Sequence, residues 1–502
     1  MQHQPAQLRT AINSSAQFLS GYGAYEQGNG LFNVGGAWNL LSANSIKTVS
    51  ISSSVPVHTV ISQFLATPNA GPGIYDREGV TAGQPYTRTY TFRRTSGGGG
   101  TKTYNLSWVG NADNTFSIGP SSIALPLNTP VTLNVSVNPT LGVHSAILNL
   151  NDPSSPGVEY QTMNTIIAAE QFTAGNNFSF VKSGTVARNQ ALRYFFYVPA
   201  GTPALKVDLD DHSAVGTGQV RFLRFHPYGV TIEPSTNSLT CYSPPVGGGP
   251  ACNPLSRTTS NPLAGVWEIT VEARRTSDVA IAPFTLTVSI LGATVSPNPD
   301  VIASASIGVP IARSYTMTNL LGAFTGRAVG TTLGSARRGV FTIANLAQQQ
   351  YPIAVAAGST SLRATIGGTS DPAADLDLFV FNCTTGPCVL AGQSADGDSE
   401  ESVTIANPAA GNWLVLVDGF AVPAGTTTYN YVDVFVNPAF GSVSVTDANA
   451  LRPAGASWTV PGSVVANAAP ATGRVLLGTV QVRTDTNVLV GSGDVIVQSV
   501  TP

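Results

Sequence analysis

Apolar residues recur along this chain with two periods, and the change between them divides it. From residue 5 to 41 the period is helical: Leu8, Ile12, Ala16 and Leu19 fall at i, i+4, i+8 and i+11 on one stripe. After a Gly-rich stretch, Asn33 is placed to cap a second helix in which Val34, Ala37, Trp38 and Leu41 share a face. Two short helices cannot bury both stripes against each other alone, so the pattern implies a partner surface for them. From about Ile46 the period becomes two, as in Arg88-Thr-Tyr-Thr-Phe92, Thr132-Leu-Asn-Val-Ser-Val137 and Ala146-Ile-Leu-Asn-Leu150. Turn signals such as Asn151-Asp-Pro-Ser-Ser-Pro-Gly157 separate the runs, which predicts antiparallel β-sandwiches.

The strands also repeat. Asn261-Pro-Leu-Ala-Gly-Val-Trp267 returns as Asn407-Pro-Ala-Ala-Gly-Asn-Trp413, each followed by an alternating strand. Upstream, Val198-Pro-Ala-Gly201 with Leu205 returns as Val355-Ala-Ala-Gly358 with Leu362, and Val220-Arg-Phe-Leu-Arg-Phe225 as Leu376-Asp-Leu-Phe-Val-Phe381. These are two copies of one domain, over 172–293 and 338–438. A second repeat interleaves with the first: Gly83-Gln-Pro-Tyr-Thr-Arg-Thr-Tyr-Thr-Phe92 matches Gly308-Val-Pro-Ile-Ala-Arg-Ser-Tyr-Thr-Met317, and Pro139-Thr-Leu-Gly142 resembles Pro470-Ala-Thr-Gly473. Residues 294–337 are too few to complete a sandwich, so they are expected to join 439–502 in a discontinuous one, with the second copy inserted.

Composition narrows the class. Of 502 residues 10% are charged and 42% hydrophobic, with 51 Gly and 34 Pro, which suits short strands and many turns and argues against disorder. A net charge of -3 leaves no electrostatic footprint for nucleic acid. No apolar run is long enough to span a membrane as a helix, and Met1-Gln-His-Gln-Pro-Ala-Gln is not a signal peptide. Four cysteines fall in two close pairs, Cys241/Cys252 and Cys383/Cys388, each in a Gly- and Pro-containing loop. Two disulfides, and hence an extracellular chain with its export signal upstream of Met1, are favoured over free buried thiols. A zinc site lacks further ligands near either pair.

The N-terminal segment carries a resemblance. Leu8-Arg-Thr-Ala-Ile-Asn-Ser-Ser-Ala16 followed by Gln27-Gly-Asn-Gly-Leu-Phe-Asn-Val34 resembles the end of a subtilase catalytic domain. Gly23-Ala-Tyr-Glu-Gln-Gly28 and Gly73-Ile-Tyr-Asp-Arg-Glu-Gly79 look like large bacterial subtilases with trailing β domains. The repeated domain resembles bacterial pre-peptidase C-terminal domains, through Asp375-Leu-Asp-Leu-Phe-Val-Phe381, Glu400 or Glu401, Asn407-Pro-Ala-Ala-Gly411 and Val417-Asp-Gly419. Its first copy departs from that text, with Gln219-Val-Arg-Phe222 in place of the acidic strand. The resemblance implies a mainly β, multidomain set of antiparallel β-sandwiches, fibronectin type III-like and jelly-roll-like, after a short helical remnant. The domains would be a catalytic-domain remnant at 1–43, a fibronectin type III-like sandwich at 44–171, pre-peptidase-like copies at 172–293 and 338–438, and a second fibronectin-like sandwich from 294–337 plus 439–502.

Catalytic chemistry is not legible in this chain. A subtilase needs an Asp-His-Ser triad, and the nearest text, Gly368-Thr-Ser370-Asp371-Pro372, reads as a turn. None of His3, His58, His144, His212 and His226 lies in a His-Gly-Thr text, and Asp210-Asp-His212-Ser213 reads as a polar loop. There is no G-x-S-x-G elbow and no H-E-x-x-H. Gly97-Gly-Gly-Gly100 precedes Thr101-Lys102 between strands, a hairpin tip rather than a phosphate loop. Trp267 and Trp413 could stack on sugars, but their repeat-equivalent places at the start of apolar strands favour core positions.

One constellation points to a ligand. Asp375, Asp377, Asp396, Asp398 and Glu400, with Asp371 and Glu401 near them, supply the carboxylates that calcium takes from loops. The rival is a solvated acidic loop. No other cofactor site is visible. The function expected is a non-catalytic accessory region of a secreted subtilisin-like endopeptidase, inactive alone and meeting protein or peptide substrates through the parent protease. It would serve substrate positioning, stability or secretion. The alternative is a free-standing adhesion or carbohydrate-binding protein, which leaves the apolar helical stripes unexplained.

Overall fold

Alternating residues close into antiparallel sheets, and their inward members make the cores. The computed structural model describes residues 4–43, 45–210, 212, 216–233 and 255–502. The chain divides into two compact units, Met1–Val288 and Ser289–Pro502.

The N-terminal unit opens with α1 (Pro5–Ser15), α2 (Ala24–Gln27) and α3 (Val34–Ser42). Asn33 caps α3, its side chain accepting a hydrogen bond from the Gly36 amide at 2.8 Å. α1 stops at Ser15, short of Ala16 and Leu19, and its buried residue is Ala11, off the expected stripe, which packs against Ala37, Leu41 and Ile46; Leu8, Val34 and Trp38 are exposed, Trp38 by 63%. Two hydrogen bonds tie this segment to the sheets, Tyr25 N to Ser145 Oγ at 3.0 Å and Val158 N to Ser14 Oγ at 2.9 Å.

The first sandwich follows. One sheet orders Ala70–Gly71, Ile51–Pro56, Tyr86–Arg94, Pro130–Val137 and Phe116–Ile118; the other orders Tyr75–Asp76, Tyr160–Ala168, Gly142–Asn151, Thr101–Val109 and Ser122–Pro126. Tyr90, Phe92, Tyr104, Leu133, Leu148 and Ile166 fill the space between them. A second sandwich pairs the sheet Glu170–Gln171, Ala191–Val198, Gly265–Ala273, Val220–Phe225 with the sheet Ser179–Ala187, Ile281–Leu291, Ala204–Leu209, Ser256–Ser260. Phe172, Phe180 and Phe196 cluster in its core.

In the C-terminal unit, Ile311–Asn319 pairs with Ser457–Ala466, and Asp300–Ile302 lies parallel to Leu489–Val497, so strands from 293–330 and 441–497 share sheets. Gly334–Ala344 pairs along its length with Thr426–Val436, and its first three residues also pair with Val475–Thr484. The expected boundary at 337/338 therefore falls inside a strand, and one nine-stranded sheet runs from the flanking strands into the inserted domain. That domain's opposing sheet orders Gln348–Val355, Gly411–Ala421, Asp375–Asn382 and Val389–Ser394.

Candidate functional site

The acidic residues gather at one rim of the inserted domain, where Asp375–Asn382 begins and Val389–Ser394 runs into the loop 395–401. The Ser399 hydroxyl donates to the Ala374 carbonyl at 2.6 Å, and the Leu376 amide to the Asp398 carbonyl at 3.3 Å, which holds the loop against the strand. Asp396, Asp398 and Glu401 bring carboxylate oxygens within 4.8 Å of one another. Glu401 is 2% exposed and accepts hydrogen bonds from Ser394 Oγ and, at 3.0 Å, from the Asp396 amide. Glu400, expected in this set, is not in it: its side chain accepts from the Gly368 amide at 2.7 Å, and Glu401 takes the inward place.

Asp375 and Asp377 stand beside this group rather than within it. Burial, then the charges of Glu401, Asp396 and Asp398, raise the Asp375 carboxyl above its ordinary range. Burial, then Asp375, Asp418, Glu401 and Asp396, push Asp377 up to about 6. Asp377 lies directly across the ladder from Asp418, a like-charge pairing that destabilises a sheet unless something neutralises it. Asp375 Oδ1 is buried with no hydrogen-bond donor. A hard cation with oxygen ligands fits these features, since it would satisfy the orphaned oxygen and the crowded charge together.

The sandwich expected as a first copy, over 172–293, has opposite chemistry at the matching strand. Arg221 there pairs with Glu272, while Arg224 and Arg257 share Glu233, at 3.1 and 2.7 Å. Burial, together with Arg224 and Arg221, lowers the Arg257 guanidinium to about 10 even though Glu233 opposes the shift. A cation site has no carboxylate frame on this strand. What the copies do share is the Asn-Pro turn: Asn261 and Asn407 are left-handed, with φ of 45° and 47°. Trp267 and Trp413 donate from Nε1 to the carbonyls of Leu263 and Ala409 at 2.8 and 2.9 Å. Both tryptophans are buried, so neither offers a face to a sugar.

The remaining polar residues of interest are occupied locally. Ser370 Oγ meets Thr427 Oγ1 at 3.2 Å and accepts from the Thr428 amide at 2.9 Å, in a turn as expected. His212 lies between Asp210 and the Thr217 carbonyl; Asp211 and Ser213 fall outside the described residues. At the start of its strand, His144 bridges Asp113 at 2.6 Å and Thr140, whose hydroxyl and carbonyl are 3.1 and 2.9 Å from Nε2. This ties the 111–115 turn to the 139–141 turn. Burial raises the Asp113 carboxyl, but hydrogen bonds from His144 and Thr115 outweigh it and hold the group below its usual range. Cys383 and Cys388 are disulfide-bonded; Cys241 and Cys252 lie outside the described residues. In the N-terminal unit, a cleft of about 990 Å³ runs between the outer faces of the two sandwiches, with Ile61, Tyr75, Met163, Phe195, Leu223 and Phe225 on its walls.

Sequence reasoning missed a pair of buried acids. Asp76 accepts from Arg88 Nε at 3.0 Å and from the Tyr86 hydroxyl at 2.7 Å. Asp300 accepts from Arg313 Nε at 2.8 Å and from the Tyr315 hydroxyl at 2.9 Å. Arg88 and Arg313 occupy the same place in the two matched strand texts, and each acid sits on a short parallel strand at the edge of its sheet. The aligned arginines were the available signal. Each lone Arg facing inward among apolar neighbours calls for a buried carboxylate.

Residues 52–168 match the family described as Ig-like domain in actinomycete serine proteases, and residues 349–419 match the bacterial pre-peptidase C-terminal domain. The first sandwich thus matches an Ig-like family where a fibronectin type III-like one was expected. Pyrolysin of Pyrococcus furiosus is 22% identical over 458 residues, covering 86% of this chain and 30% of pyrolysin. The chain spans under a third of that relative's length. Among solved structures, tripeptidyl peptidase 2 is similar over 100% of this chain and 44% of its own, at 13% identity and a TM-score of 0.49. The secreted serine protease VesC from Vibrio cholerae is similar over 52% of this chain and 54% of its own, at 12% identity and a TM-score of 0.26. The two domain matches and pyrolysin support a likeness to the C-terminal region of a subtilase.

Proposed function

We propose that this chain, a subtilase C-terminal region by its domains, serves a secreted subtilisin-like endopeptidase as a non-catalytic accessory region that positions polypeptide substrate and stabilises the enzyme. The observation that carries this reading is the order of parts. An N-terminal segment with outward-facing Leu31, Phe32, Val34 and Trp38 precedes an Ig-like domain, and a pre-peptidase C-terminal domain follows. The outward residues suit a catalytic domain packed against them. The Cys383–Cys388 disulfide supports an oxidising, extracellular setting, and the 294–337 and 439–502 segments act as one discontinuous sandwich. The DNA ahead of Met1 tests the reading: an open frame encoding a Gly-Thr-Ser-Met-type helix is expected, and a promoter with start signals there overturns it. Purified alone, the chain is expected to leave casein uncut. Hydrolysis blocked by a serine-directed inhibitor would contradict this.

At the acidic rim the reading is a calcium site built from Asp375, Asp377, Asp396 and Asp398, with Glu401 in place of Glu400. Its support is the buried, donorless Asp375 Oδ1 beside the Asp396, Asp398 and Glu401 oxygens. The ion would stabilise the domain by binding the folded state alone. Calorimetry should show a higher melting temperature in millimolar calcium than in chelator; an unchanged temperature removes the site.

A further inference from the structure

The nine-stranded sheet of the C-terminal unit has an outer face whose chemistry differs from the acidic rim. Cross-strand register places Val436 beside Ser361 and Val434 beside Arg363, with Ala406 and Thr404 next in the same rows. On the other side the rows continue through Gly334 and Ala336, with Leu477 paired to Gly334. The result is a groove of about 410 Å³ with an aliphatic floor of Val434, Val436 and Leu477 and a polar flank of Ser361, Arg363 and Thr404.

Arg363 is the only Lys or Arg between Arg338 and Arg452, in a stretch with ten Asp and Glu. Yet it is exposed and makes no ion pair or hydrogen bond with any described residue. The hydroxyls of Ser361 and Thr404 are likewise unengaged among the described residues. A guanidinium flanked by free hydroxyls above aliphatic side chains matches a carboxylate with small apolar neighbours. No aromatic side chain lines the groove to stack on a sugar ring. We infer that this groove binds an extended polypeptide segment in which an Asp or Glu lies between small aliphatic residues, the carboxylate meeting Arg363. The inference rests on the substrate-positioning reading and names the substrate feature recognised.

Fluorescence anisotropy on the full 502-residue chain tests it, with fluorescein-labelled Gly-Val-Glu-Val-Gly, its Gln counterpart and labelled tetragalacturonate as probes. The Glu peptide should bind about tenfold more tightly than the Gln peptide. Arg363→Gln should abolish that discrimination and Arg363→Lys should restore part of it. Arg363 is exposed, so the melting temperature should stay unchanged in both variants. Equal binding of the two peptides, discrimination that survives Arg363→Gln, no peptide binding, or binding of tetragalacturonate alone each overturns the inference. An upstream catalytic frame together with any of these outcomes overturns the groove assignment and leaves the accessory-region reading standing.

Discussion

Asp377 ties charge crowding to stability in a direction that can be measured. Its carboxyl titrates at 3.8 in an unperturbed chain and at about 6 in the fold, raised first by burial and then by Asp375, Asp418, Glu401 and Asp396. Between those values the folded state holds a proton that the unfolded state has released. Stability attributable to this residue therefore falls as pH rises from about 4 to 6, and the penalty is complete above 6. In chelator, Asp377→Asn should raise the melting temperature of the C-terminal unit by a few degrees at pH 7.5 and leave it nearly unchanged at pH 4. If calcium fills the proposed site, the sign should reverse at pH 7.5 in excess calcium, because the substitution would then remove a ligand. Asp300 works the other way. It is buried and paired, and its hydrogen bonds hold the Arg313 guanidinium above its usual range. Asp300→Ala leaves that cation without its partner and should cost about 3–5 kcal/mol in urea denaturation of the C-terminal unit. A loss under 1 kcal/mol, the order of a surface pair, would show that the pair is solvated.

The repeated Asn-Pro turn is the element on which sequence and structure agree most closely, and the reason is local. A left-handed residue followed by Pro, with Gly four positions on, can be read from residue types alone, because few side chains tolerate that backbone. Asn407 has φ of 47°, and the turn delivers Trp413 to the core with its indole N–H satisfied by the Ala409 carbonyl. Asn407→Ala should therefore lower the stability of this domain by about 1–2 kcal/mol, and Asn407→Gly should be nearly neutral, as read from denaturant midpoints. Equal losses would place the cost in the Asn side chain rather than in the backbone. Less local features were harder to read. The acidic cluster holds Glu401 rather than Glu400, a choice set by which of two adjacent carboxylates faces inward from an irregular loop. No period reports that choice. The Asp76 and Asp300 clamps were missed because each acid lies on a strand of two or three residues, too short to show alternation.

For the molecule as a whole, alternation made the sandwich class legible, since it is a pattern that recurs many times. The merging of the inserted domain into a nine-stranded sheet was not legible. Gly334–Ala344 satisfies two neighbours at once, and a single strand's sequence does not record how many partners it has. The helical segment gives the remaining test of how this region is used. Trp38 is 63% exposed, and Leu31, Phe32 and Val34 are exposed by more than half, although all are large and apolar. A group of this kind in water favours a partner. In hydroxyl-radical footprinting of the isolated chain, Trp38 should be oxidised readily, whereas Trp267 and Trp413, buried in the two copies, should serve as protected references. In a longer chain carrying the subtilase catalytic domain ahead of residue 1, Trp38 should become protected by about the factor that separates it from Trp413 in the isolated chain. Trp38 still oxidised at the isolated-chain rate would mean that the catalytic domain does not cover this face, and the helical segment would then need another partner.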